Sequence, residues 1–221
     1  MRVLGSGLDR ELLGHLSRFC KQTGVSLITG KPSKTGAGGG GRSGGGEEPT
    51  HMVTACSGDR KVAKRTLKYF SCIMKGCWVM SFSWVQASMA AGHWVAEADH
   101  EIIGDNRYLG GPRRARERRE RGTAPLFAGQ RFHLAGEFNV PSPPRETLEE
   151  LIRLGGGELL KRPPPVGGGG EAVVVLCSHT MNRMEQLAAL ARWGSPPLVL
   201  NWLLDSMGKY GLQDFGMYHI L

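Results

Sequence analysis

Each half of the sequence carries a tryptophan followed four residues later by a serine: Trp84 and Ser88 in WVQAS, Trp202 and Ser206 in WLLDS. Both pairs come just after a short apolar strand. One turn of helix puts the two side chains of each pair on one face. A large ring packed against a small neighbour at the same place in both halves points to a duplicated unit.

The rest of the hydrophobic pattern agrees. In the first half, residues 3–4 read as a strand, followed by a glycine turn. Leu12, Leu13, Leu16, Phe19 and Cys20 then recur at helical spacing. Strands follow at 25–28 and 51–55, a helix over 62–74, a buried strand at 78–80 and a helix over 81–91. In the second half, residues 132–134 form a strand, and Leu148, Leu151, Ile152 and Leu154 share a helical face that Gly155, Gly156 and Gly157 end. Strands at 158–160 and 172–177, a helix at 184–191, a strand at 198–199 and a helix over 202–209 complete it. Both halves run strand, helix, strand, strand, helix, strand, helix. Strands alternating with helices predict an α/β fold: two units, each a small parallel four-stranded sheet flanked by helices.

Between the units lies a segment of unusual charge. The chain of 221 residues has a net charge of +8, yet residues 107–121 hold seven arginines against two glutamates, a local charge of +5. The remainder is nearly balanced, which weakens any reading of the whole chain as a nucleic-acid binder. Residues 107–124 are expected to be a basic linker between a first repeat at 1–106 and a second at 125–221, with part of the linker helical. The charge run is either simply solvated or touches phosphate backbone or an acidic histone surface. Glycine is in excess, 33 residues, but 16 of them fall in a few short runs. The tracts at 31–49 and 163–170 are expected to be loops.

Several function classes are disfavoured. No apolar run approaches the ~20 residues of a membrane span, and the N-terminal MRVLGSGLDRELL lacks the apolar stretch of a signal peptide. Five cysteines without a CxxC pair fit a reducing compartment and argue against a zinc site. GAGGGGRS at 36–43 nearly matches a phosphate loop, but GGGEEPT follows where a helix should start. No nucleophile elbow or carboxylate pair is evident. The expectation is a non-enzymatic protein without cofactor or metal.

RTLKYF (65–70), GCWVMSFSWVQAS (76–88), GGPRRARE (110–117) and NWLLDSMGKY (201–210) carry a more specific signal, with SGL (6–8), THMV (50–53), GDN (104–106) and LGGGELL (154–160) in step. In this order, and over nearly the whole chain outside the glycine tracts, they resemble the tandem BRCT family, in particular the regions borne by two related RING-domain proteins. The resemblance implies two BRCT repeats packed head to tail and a phosphopeptide-binding role in the DNA-damage response. It also implies a nuclear location and phosphorylated DNA-repair proteins as partners. In the full-length proteins it implies a RING heterodimer, whose ubiquitin-ligase activity belongs to a RING domain outside this sequence. One of the two resembled regions engages nucleosomes, which favours the second reading of the basic linker.

The residues can support that chemistry. Ser6 and Gly7 form the turn between first strand and first helix, where a helix N-terminus favours an anion. Gly7 lets the backbone approach a ligand, and the Ser6 hydroxyl can donate. By resemblance Lys68, on the second helix, adds a point charge. The other reading has Ser6 merely capping the helix and Lys68 solvated. The family's second pocket takes an aromatic side chain three residues after the phosphoserine. The matching positions are Phe70, Asn139, Val140 and Leu204, with Arg65 bonding the peptide main chain. Phe70, Val140 and Leu204 read equally well as core between the repeats. Val140 replaces a methionine of the resembled region, Leu200 replaces an arginine, and about three extra residues follow at 142–144.

Overall fold

The computed structural model describes residues 1–28, 48–57, 62–162, 173–193 and 197–220. Most of the glycine tract at 31–49 and all of that at 163–170 lie outside the described residues. The first unit has β1 (Arg2–Ser6), α1 (Arg10–Gln22), β2 (Ser26–Ile28), β3 (His51–Thr54), β4 (Cys56–Ser57), β5 (Val62–Ala63), α2 (Leu67–Met74), β6 (Trp78–Ser81), α3 (Phe82–Ala91) and β7 (Gly104–Asp105). Then comes α4 (Gly111–Glu120). The second unit has β8 (Arg131–Ala135), α5 (Arg145–Leu154), β9 (Glu158–Leu159), β10 (Val173–Cys177), α6 (Arg183–Trp193), β11 (Leu198–Val199) and α7 (Asn201–Lys209).

The two main sheets are parallel and equivalent. Their strand orders are β2-β1-β3-β6 and β9-β8-β10-β11. Arg2 pairs with Ser26 as Arg131 pairs with Glu158, so Ser6 of the first unit corresponds to Ala135 of the second. The paired Trp and Ser also match. Trp84 and Trp202 donate Nε1–H to carbonyls eleven residues on, Val95 at 2.8 Å and Gln213 at 2.9 Å. Ser88 and Ser206 accept the N–H of those same residues, both at 3.2 Å.

The second helix is shorter than its sequence pattern. The span 62–74 divides: Val62 and Ala63 join a three-stranded side sheet, antiparallel to β4 and parallel to β7. Thr66 then starts α2 by accepting the Tyr69 N–H at 3.1 Å. A β-branched residue with two strand partners favours extension there, and a threonine cap fixes the helix start.

Two apolar clusters fill most of the interior. One belongs to the first unit alone, with Val3, Leu16, Phe19, Met80 and Trp84 between its sheet and α1 and α3. The other crosses the joint. It links Met52, Phe70, Ile73 and Met74 to Phe127, Phe132, Leu148, Ile152, Trp202 and Met207. Gly155, at the end of α5, lies inside this joint. A Cβ there would run into the Phe127 ring and stand 2.6 Å from Met74 Cε. Phe127 is fully buried and packs edge-on to Phe132 at 5.2 Å, so it has little room to yield. Gly155 has an ordinary φ of −78°, so Gly155→Ala tests packing without backbone strain. It should destabilise the chain by about 1–3 kcal/mol, read as a lower urea midpoint at unchanged slope.

The basic segment is a strap. α4 starts at Gly110, whose φ of 80° suits glycine, with Pro112 in its first turn. Arg114 donates to the Lys209 carbonyl at the end of α7, and Arg119 to the Lys75 carbonyl at the end of α2. Arg118 donates to the Ala124 carbonyl at 2.7 Å. Arg116 grips Glu101 through two nitrogens at 2.9 Å and lies 3.7 Å over the Trp78 ring. Arg113 and Arg121 both pair with Glu117, at 2.7 and 3.0 Å. Arg107 lies 3.5 Å from Asp205.

Candidate functional site

At the C-terminal end of β1, Ser6 is nearly buried, with its Oγ 3.3 Å from Thr66 Oγ1. Gly7 follows, exposed and at φ +65°, a conformation that side chains disfavour. Asp9 caps α1, taking the Leu12 N–H at 2.8 Å, and its carboxylate would repel an anion. Ser6 therefore does not cap α1. It meets the start of α2 instead, whose first-turn amides lack helical partners and carry partial positive charge. Lys68 is the second residue of α2 and half-buried. The structure brings Ser6 against a residue the sequence reading missed, Thr66, and places Lys68 two residues on in the first turn of the helix that Thr66 caps. The signal for Thr66 was present: a threonine directly before the apolar run LKYF is a helix cap.

The second unit lacks this arrangement. Its β8 ends in Ala135, followed by Gly136, so the hydroxyl is gone. At the head of α6, Asn182 accepts the Glu185 N–H at 3.0 Å while Glu185 accepts the Asn182 N–H at 2.8 Å. A carboxylate thus sits where an anion would bind. Counted from the capping residue, Met184 takes the place of Lys68 and is 74% exposed.

The second candidate group lies at the joint. Arg65 precedes the cap of α2 rather than lying on it. Its Nη1 donates to Asp205 Oδ1 and its Nη2 to the Leu204 carbonyl, both at 2.7 Å. Its guanidinium carbon is 5.2 Å from the Phe70 ring centroid. Phe70 is buried, and Leu204 is half-buried against the same cluster. Leu200, half-buried, also packs there. Asn139 and Val140 are not brought in. Asn139 is exposed and reaches Glu137 at 3.5 Å, and Val140 is 93% exposed on the loop after β8. The apolar residue that joins Phe70 from this loop is Phe138, with Arg145 5.3 Å from its ring centroid.

Asp205 is fully buried and also accepts from Tyr218 at 3.0 Å and Tyr108 at 3.4 Å. Burial, then the hydrogen bonds with Tyr108 and Asp205, push the Tyr218 phenol well above its usual range. Burial raises the Tyr69 phenol likewise. All seven arginines of the basic segment engage the protein's own carbonyls or carboxylates. Among the described residues no cluster of His, Cys, Asp and Glu could hold a metal, and no helix is long and apolar enough to cross a membrane.

Residues 125–219 match the family model of the BRCT domain. The chain is 30% identical over 185 residues to the mouse breast cancer type 1 susceptibility protein homolog, covering 78% of this chain and 9% of that protein. It is 36% identical over 110 residues to human BRCA1-associated RING domain protein 1, covering 50% of this chain and 13% of that one. The chain thus spans only about a tenth of each relative. Among solved structures, the BRCT5-BRCT6 domains of S. pombe Brc1 align with a TM-score of 0.57 at 15% identity, over 96% of this chain and 94% of that one. Rtt107p, solved in complex with a phosphorylated histone, aligns with a TM-score of 0.54 at 10% identity, over 96% of this chain and 88% of that one.

Proposed function

With residues 125–219 a BRCT domain and the whole chain folded as a tandem BRCT pair, the chain belongs to the BRCT family, and we propose that it binds phosphoserine peptides. One observation carries the reading. Ser6, with Gly7 next to it, meets Thr66 at the cap of α2, whose second residue is Lys68, while the duplicate site has Ala135, Met184 and the Glu185 carboxylate. A phosphoserine brings about −1.5 to −2 charge and three acceptor oxygens. Two hydroxyls, the Gly7 amide, a lysine and a helix N-terminus suit it.

Arg65, Phe70 and Leu204 then face the residues after the phosphoserine, favouring an aromatic side chain at the third following position. Asn139 and Val140 remain candidates for the outer rim of that pocket. The Rtt107p complex with a phosphorylated histone supports the class of ligand. The name of the second relative, BRCA1-associated RING domain protein 1, supports a RING heterodimer context, and phosphorylated DNA-repair proteins as partners and a nuclear setting belong to the same reading. BRCT domains are interaction modules, which fits a chain with no enzymatic role. The alternative reading, nucleosome or DNA binding through the basic linker, loses ground because Arg107, Arg114, Arg116 and Arg119 engage residues of the two repeats, and Arg113 and Arg121 are paired with Glu117.

Fluorescence titration with matched phosphorylated and unphosphorylated Ser-x-x-Phe peptides tests the proposal. The phosphorylated peptide should bind at least about 30-fold more tightly, as expected of several charge-assisted hydrogen bonds. Equal affinities would overturn it.

A further inference from the structure

Asp105 is 2% exposed, and its two carboxylate oxygens have different surroundings. Oδ1 accepts the backbone N–H of Arg107 at 2.8 Å and of Tyr108 at 2.9 Å. That turn fixes the direction of the group. Oδ2 has no hydrogen-bond partner among the described residues. It faces Arg65, whose Nε is 3.8 Å away. A buried carboxylate oxygen left unbonded is unfavourable.

α7 makes room for it. A Cβ at Gly208 would stand 2.7 Å from Asp105 Oδ2 and 3.5 Å from Arg65 Nη2. Glycine is a poor helix former, and the equivalent position of α3, counted from the shared tryptophan, is Ala90. The unbonded oxygen and the helical glycine together keep an anionic wall against one edge of the guanidinium.

Arg65 is therefore held on three sides: Asp205 at Nη1, the Leu204 carbonyl at Nη2 and the Asp105 charge at Nε. Each terminal nitrogen still has a second N–H. We infer that Asp105 is a positioning residue for Arg65. It holds those N–H groups over the Phe70 ring, where the peptide main chain beyond the phosphoserine would pass. The inference rests on the phosphopeptide reading and deepens it: recognition downstream of the phosphate depends on a buried anion that touches no ligand.

Asp105→Asn tests this. The amide oxygen can keep both turn hydrogen bonds, while the charge facing Arg65 is lost. Two peptides are titrated, phosphoserine-x-x-Phe and the same peptide ending at the phosphoserine. The variant should bind the long peptide about tenfold more weakly and the short one within about twofold of the parent protein. Gly208→Ala, which crowds Oδ2 with both charges in place, should give the same pattern and serves if Asp105→Asn does not fold by circular dichroism. An equal loss on both peptides, as a merely structural role would produce, overturns the inference, as does an unchanged long-peptide affinity. If the parent protein ignores phosphorylation, the phosphopeptide reading itself fails, a result separate from either outcome.

Discussion

Trp202→Ala should destabilise the chain by about 3–5 kcal/mol, the usual result of emptying a buried aromatic site. Trp202 is fully buried, its ring lying 6.2 Å from Phe132, 6.4 Å from Phe127 and 5.2 Å from Phe215. Truncation leaves a cavity and removes the donor to the Gln213 carbonyl. Domains typically have only about 5–15 kcal/mol of stability in total, so this is a large share. Trp202 also belongs to the cluster that crosses the joint. Destabilisation should therefore reach the first repeat, and both repeats should unfold at one lowered midpoint. Denaturant unfolding followed by far-UV circular dichroism and tryptophan fluorescence checks this. A loss below about 1 kcal/mol, or a first-repeat transition that stays in place, would contradict a shared core.

Lys68→Met should weaken binding of a phosphoserine peptide by about ten- to a hundredfold and leave the unphosphorylated peptide unchanged. Hydrogen bonds to charged groups contribute roughly 1.5–3 kcal/mol, and each 1.4 kcal/mol is about a factor of ten. Methionine gives the first repeat the residue that the second has at Met184. Lys68 is half-buried in the first turn of α2, and methionine keeps much of its apolar length, so stability should stay within about 0.5 kcal/mol. The parent protein's affinity should also fall with added salt, and the variant's less steeply. A variant that still prefers the phosphorylated peptide as strongly as the parent would remove Lys68 from the site.

Much of the fold was legible because burial imposes a period. Leu148, Leu151 and Ile152 recur as a helix requires, and all three face the core. The Trp and Ser pairs marked the duplication, although the serines bond the following loop rather than simply making room for a ring. The side sheet was not legible. Val62 and Ala63 continue the apolar pattern of α2, and only their partners Ser57, Cys56, Gly104 and Asp105 make them strand. The site divides in the same way. Lys68 and Gly7 stand out in sequence, but that Asp9 caps α1 while Ser6 meets Thr66 at the cap of α2 depends on packing between segments distant in sequence. Phe138 and Val140 alternate along a loop. Which one turns inward depends on the neighbouring Phe70, distant in sequence.

The α4 strap has a consequence for selectivity. Arg114 and Arg119 fasten it to one helix end on each repeat, so the repeats cannot pivot without straining or breaking one of the attachments. The proposed phosphate cradle belongs to the first repeat, and Leu204 to the second. On the proposed reading their separation acts as a fixed gauge, selecting a ligand by the number of residues between its two anchors. Changing that count calls for altering the strap, far from any surface the ligand touches.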